Sequence, residues 1–170
     1  MPASNDRHFL NSTYREKVIE HVFVGELLRL LWVAGIHDIE ILKPEVDSSG
    51  YDIVIAYKTL IRHIQIKASV FNGKIPGQKI NASLARHPSG CVVWVLVDDS
   101  LSFWGFRWFG DAPGLPLPSL FDFKQAKQTR PNLQGIKVER ANTKSIPRSA
   151  FESIPDLPAL VRKLLGEDVL

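Results

Sequence analysis

Two short segments, Gly50-Tyr51-Asp52-Ile53-Val54-Ile55 and Ile64-Gln65-Ile66-Lys67-Ala68-Ser69, alternate apolar and polar residues around a turn at Lys58-Thr59. Alternation of period two marks half-buried strands, and the short gap makes them a hairpin. A turn symmetric about the Lys58–Thr59 bond fixes the register. Asp52 then falls opposite Gln65, and Lys67, two residues on, shares their face. The pattern brings a carboxylate, an amide oxygen and an ammonium together on an otherwise apolar hairpin, a set suited to a divalent-metal site that cleaves phosphodiesters. Taken singly, each residue has a plainer reading: Gln65 and Lys67 as an ordinary polar strand face, Asp52 as a turn carboxylate after Ser48-Ser49-Gly50.

A long amphipathic stretch upstream offers a second carboxylate. Thr13-Tyr14-Arg15-Glu16 reads as a capping box and Gly35 as a C′ residue, so a helix is predicted over 13–34. At about 100° per residue, Val22, Val33, Glu26, Ile19, Leu30 and Phe23 share one arc, with Glu16, Lys17, Glu20 and His21 opposite. Glu26 then sits in the face expected to pack on the sheet. A carboxylate there needs a cation, either a metal ion or Arg29 one turn on.

Glu26 on a helix, Asp52 in a Gly-Tyr-Asp-Ile-Val strand, and then Gln65-Ile66-Lys67 give the chain its family likeness. In order and spacing it resembles the PD-(D/E)xK nuclease superfamily over residues 13–98. The run from Val22 to Lys67, with Pro44-Glu45-Val46-Asp47 and Arg62-His63-Ile64-Gln65, is also similar to bacterial stand-alone proteins of unassigned function predicted to belong there. Two departures stand out: Tyr51-Asp52 replaces the usual Pro-Asp pair, and Gln65 replaces the usual Glu, lowering the negative charge at the metal. The resemblance implies an α/β, restriction-endonuclease-like core, a mixed central β-sheet flanked by helices. It implies phosphodiester hydrolysis with Mg²⁺, Mn²⁺ substituting, on DNA rather than RNA, and cutting both strands suits a homodimer. It also implies Glu26, Asp52, Gln65 and Lys67 as the catalytic set, with Glu26 holding a second ion or a metal-bound water.

Magnesium prefers about six oxygen ligands and keeps several waters, taking one or two carboxylates from a protein. Asp52 is the expected principal ligand, with the Gln65 side-chain oxygen and the Ile66 backbone carbonyl beside it. Lys67 is suited to orient or deprotonate the attacking water, or to stabilise charge on the phosphorane-like transition state. The alternative is a catalytically inactive nuclease-fold module that binds nucleic acid or a protein partner.

The predicted order is helix 13–34, strands near 38–43, 51–57 and 61–69, a helix near 77–87, and strands 91–97 and 101–109. Cys91 to Val97 is a continuous apolar run, as in a strand buried on both faces. Lys74, Gln78 and Lys79 lie at the start of the 77–87 helix, where backbone N–H groups favour phosphate. Trp104, Phe106 and Trp108 share one face of the last strand, suited to core packing, a dimer contact or base stacking. From Lys124 to Arg148 seven basic residues accompany one acid, Glu139. Lys127, Arg130, Lys137 and Arg140 in that stretch are the candidate phosphate-backbone contacts. Asp156 caps a final helix ending before Gly166.

A chain of 170 residues, 45% hydrophobic, is expected to form one domain. Residues 13–98 make the nuclease-like core, and 99–170 carry the aromatic strand, the basic loop region and the C-terminal helix. No apolar run spans a bilayer, the first residues lack a signal-peptide core, and the lone Cys91 precludes an intrachain disulfide. A reduced cytoplasmic setting is therefore expected. Histidines 8, 21, 37, 63 and 87 show no ligand spacing; His63, on the Gln65 face, is read as structural ahead of a phosphate contact.

Overall fold

Residues 91–97 decide the architecture, because a strand that is apolar on both faces needs cover on both. The computed structural model describes residues 11–46, 49–127 and 139–170. In chain order it contains α1 (Ser12–Val33), β1 (Ile39–Leu42), β2 (Ile53–Tyr57), β3 (Leu60–Val70), β4 (Gly77–Asn81) and β5 (Gly90–Val97). There follow β6 (Phe103–Gly110), β7 (Gln125–Lys127), β8 (Glu139–Pro147), β9 (Glu152–Ile154) and α2 (Leu157–Leu165). The central sheet has the order β1-β2-β3-β5-β6-β9. Strands β3 and β5 are parallel and the other neighbours antiparallel. It is the mixed sheet flanked by helices that the sequence leads one to expect.

Cys91, Val93, Val95 and Val97 face a core filled by Ile19, Phe23, Leu27 and Leu31 of α1 and Leu160, Val161 and Leu164 of α2. Val92 and Trp94 face the other way, onto Ile80 and Ile146 of a small sheet ordered β4-β8-β7. Two apolar layers thus sandwich β5, and burying so much aliphatic surface is the main force holding the layers together. Among the described residues, no helix is long and apolar enough to cross a membrane.

The hairpin register is the expected one, running from Ile53 opposite Ile64 to Tyr57 opposite Leu60, with Lys58 at φ 52° in the turn. Helix α1 ends in a Schellman motif: Gly35 takes φ 77° and donates to Trp32, and Ile36 donates to Leu31. Its start differs from expectation, since Asn11 is the N-cap and makes no side-chain cap bond. Asp156 does cap α2, accepting from the Ala159 N–H at 2.8 Å.

Two elements depart from the sequence reading. The stretch expected as a helix over 77–87 is strand β4 followed by a 3₁₀ turn, Ala82–Arg86, which Asn81 caps through the Ser83 N–H. Its conformation is set by pairing with β8, far away in sequence, and a Cβ on Gly77 would lie 2.1 Å from the Ile146 carbonyl oxygen. The aromatic strand also breaks its alternation. Leu96 pairs with Gly105 and Val97 with Phe103, so a bulge expels Trp104, which is 65% exposed, while Phe106 and Trp108 stay buried.

Candidate functional site: an open strand edge at Asp52

The site begins where two strands part. The β2–β3 ladder ends at the Ile53–Ile64 pair, yet β3 continues to Val70, held on its other side by β5. Asp52 closes the gap. Its N–H donates to the Ile64 carbonyl at 2.8 Å, and its Oδ2 accepts from the Ile66 N–H at 2.6 Å. The second bond is charge-assisted and fixes the carboxylate against the strand edge. Backbone alternation puts the Ile66 carbonyl on the same edge as its N–H.

Beside this edge lies a cavity of about 460 Å³, bounded by Asp52, Ile66 and Lys67, by Gly77, Gln78 and Lys79 of β4, and by α1 from Thr13 to Glu20. Lys67 is half-buried there, and among the described residues it makes no ion pair. Thr13 and Glu16, which read as a capping box in the sequence, line the cavity instead.

The helical carboxylates at the cavity are exposed Glu16 and buried Glu20, not Glu26. The buried face of α1 is Ile19, Glu20, Phe23, Leu27 and Leu31, whereas Val22 and Val33 are exposed. The helix is rotated relative to the arc chosen from the sequence, which carries Glu26 to the rim. There Glu26 accepts from Arg29 Nε at 3.1 Å, the ion-pair alternative, and it does not line the cavity. Glu20 is buried, with Lys43 Nζ 2.7 Å from Oε1 and Lys17 Nζ 3.0 Å from Oε2. Burial pushes its carboxyl up, but the bonds and charges of Lys43 and Lys17 outweigh that and hold it below the usual carboxylate range.

Gln65 is buried and its Oε1 accepts from the Asn81 N–H at 3.2 Å, fastening the end of β4 to β3 rather than lining the cavity. Gln78 and Lys79 do line it, although on a strand and not at a helix N-terminus. Lys79 Nζ donates to the Lys127 carbonyl at 3.0 Å, so Lys127 is tied in through its backbone. Lys74 is exposed and outside the cavity lining. Arg130 and Lys137 lie outside the described residues, and Arg140 belongs to β8. His63 bonds Pro88 O through Nδ1 at 2.8 Å and stacks on His87, 4.8 Å between centroids, with Tyr51 edge-on at 4.8 Å. Burial lowers its pKa, in keeping with a structural histidine.

Glu16, Lys17, Glu20 and Lys43 were not among the residues singled out for the site. The signal was present: Ile19, Phe23, Leu27 and Leu31 repeat at four-residue spacing, and Glu16 and Glu20 fall on the same stripe. Among the described residues, no group of three or more His, Cys, Asp or Glu side chains is placed to hold a metal ion.

No family model matches the chain, and no curated protein matches it. Among solved structures, a bacterial homing endonuclease is similar at 17% identity and a TM-score of 0.36, over 72% of this chain and 83% of that one. So distant a likeness carries no weight for the chemistry, which rests on the residues above.

Proposed function

We propose that the cavity beside Asp52 is a metal-assisted phosphodiester-cleaving site acting on DNA, with Mg²⁺ as the ion, in a core of the PD-(D/E)xK kind. The observation that carries the reading is Asp52 held at the open edge of β3, with Lys67 in the same cavity. The donor set suits a water-rich ion: the Asp52 carboxylate, the Ile66 carbonyl and Glu20 are hard oxygen donors, and magnesium needs only one or two carboxylates. When bound, the ion supplies charge neutralisation at the phosphate and acidifies a water.

The chain's own groups do the rest. The Ile66 N–H holds the Asp52 carboxylate in one orientation, so little reorganisation is needed when charge develops. Lys67 places an ammonium where the attacked phosphate gains negative charge and is positioned to orient the attacking water. Lys17 and Lys79 make the cavity walls attractive to the flanking phosphates. Cutting both strands would use two copies, and Trp104, 65% exposed and stacked on Phe71, is one aromatic open to such a contact.

One pair of observations favours a second reading, binding without cleavage. Glu20 is already neutralised by two lysines, and the Gln65 oxygen already accepts from Asn81. Incubation of supercoiled, linear and single-stranded DNA with Mg²⁺, Mn²⁺ or EDTA, beside Asp52→Asn, separates the two. Metal-dependent cutting lost in Asp52→Asn is expected. DNA binding with no cutting in any metal would leave the binding module.

A further inference from the structure

A second cavity, about 650 Å³, opens against the small sheet and shares Gly77, Gln78 and Lys79 with the Asp52 cavity. One strand, β4, therefore borders both. The volume lies within the usual range for small-molecule sites, about 300–1,000 Å³, enough for a nucleoside. Its walls are mainly apolar and flat: Phe123, Ile146, Pro76 and Pro147. The polar residues around it are Gln78 and Ser145, the exposed cations Lys79 and Lys124, and Asp122, an exposed acceptor. The same turn leaves Phe121 87% exposed, so it offers aromatic surface to solvent that the core does not use.

Resting on the reading above, we infer that this second cavity takes one unpaired nucleobase of the strand whose phosphate enters the first. Phe123 and its aliphatic neighbours cover the π-face, which any base presents. Lys79 and Lys124 meet the phosphates on either side of that base, matching cation to anion. Asp122 accepts from an exocyclic amine, which adenine and cytosine carry and thymine lacks. A base stacked in an intact duplex cannot enter, so the substrate class is DNA with an unpaired or readily extruded nucleotide beside the cleaved phosphate.

The test is affinity measured in EDTA, where cleavage plays no part. The probes are three duplexes identical except for one extra nucleotide: adenine, thymine or an abasic residue. The abasic duplex keeps the extra sugar and phosphate but offers no base. Extra adenine is expected to bind about tenfold more tightly than the abasic residue, and Phe123→Ala to bring the two within about twofold. Phe123 also packs on Phe109, 5.8 Å between centroids, so exposed Asp122 supplies a milder variant. Asp122→Ala should erase the preference for adenine over thymine and keep the discrimination against the abasic duplex. Equal affinity for adenine and abasic duplexes, undetectable binding of both, or discrimination intact in Phe123→Ala overturns the inference. Metal-dependent cleavage without the discrimination would sink this inference alone; discrimination without cleavage would sink the nuclease reading alone.

Discussion

Two buried charges, Arg62 and Glu20, sit on the same scaffold and are handled in opposite ways. Arg62 is fully buried and, among the described residues, forms no ion pair with a carboxylate: Nη1 donates to Ser89 Oγ at 2.6 Å and Ala112 O at 3.1 Å, Nη2 to the backbone oxygens of Asp111 at 2.7 Å and Lys163 at 3.1 Å. Its guanidinium also lies 4.9 Å from the Trp108 ring centroid. Those acceptors come from the approach to β5, the loop after β6 and the end of α2, so one side chain ties three segments. Glu20 instead meets two lysines whose side chains are 66% and 38% exposed, beside a cavity. Burial of a charge does not by itself mark a working site. What separates the two is whether the partners can be exchanged for a ligand: fixed carbonyl dipoles cannot, and lysines reaching in from solvent can.

The largest expected effect breaks the structural member of the pair. Arg62→Met takes the guanidinium from three backbone carbonyls, while Ser89 Oγ keeps the Gly114 N–H, and urea unfolding should show a loss of about 3–5 kcal/mol. Glu20→Gln should cost far less, because Lys17 and Lys43 return to water; equal losses would erase the distinction. In Mg²⁺-dependent cleavage the ranking should invert. Glu20→Gln should lose about ten- to a hundredfold, and Arg62→Lys, wherever it remains folded, should keep most activity.

Acid separates the two further. A carboxyl held below its unfolded value stabilises the fold above the unfolded pKa, near 4.3, and that contribution fades as pH falls through the folded value. Thermal melts from pH 6 down to 3 should therefore converge for wild type and Glu20→Gln; curves that stay parallel would show that Glu20 is not held ionised. The smallest effect reports on the Arg62 clamp. Cys91 is buried, its thiol pushed up to about 12 by desolvation, so the native protein should resist a disulfide reagent at pH 8. Arg62→Met should speed that reaction, and unchanged protection would argue against the clamp.

The hairpin was legible because its register depends on a local turn and on strict alternation from Ile53 to Tyr57 and Leu60 to Ile64. Strand β5 was legible because nothing but two-sided burial explains seven apolar residues from Cys91 to Val97. Strand β4 was not: Gly77 to Asn81 carries no strand-forming pattern, and its conformation comes from β8. The same loss hid half the candidate site. Asp52 and Lys67 could be placed by parity along one hairpin, whereas finding Glu20 required the rotation of α1 about its axis. That rotation depends on which of two overlapping apolar stripes packs, and Leu27 and Leu31 win over Val22 and Val33 because they complete the four-residue repeat with Ile19 and Phe23. Trp104 eluded alternation because a single-residue bulge resets it.

On the proposed reading, Lys67 and Asp52, and not the surface pair Glu26–Arg29, serve phosphodiester cleavage. The most direct measurement is Mg²⁺-dependent conversion of supercoiled plasmid by wild type, Lys67→Met and Glu26→Gln, each first shown to be folded. Lys67→Met should lose about a hundredfold or more while Glu26→Gln cuts like wild type. Equal cutting by all three proteins, or loss in Glu26→Gln alone, would contradict the account.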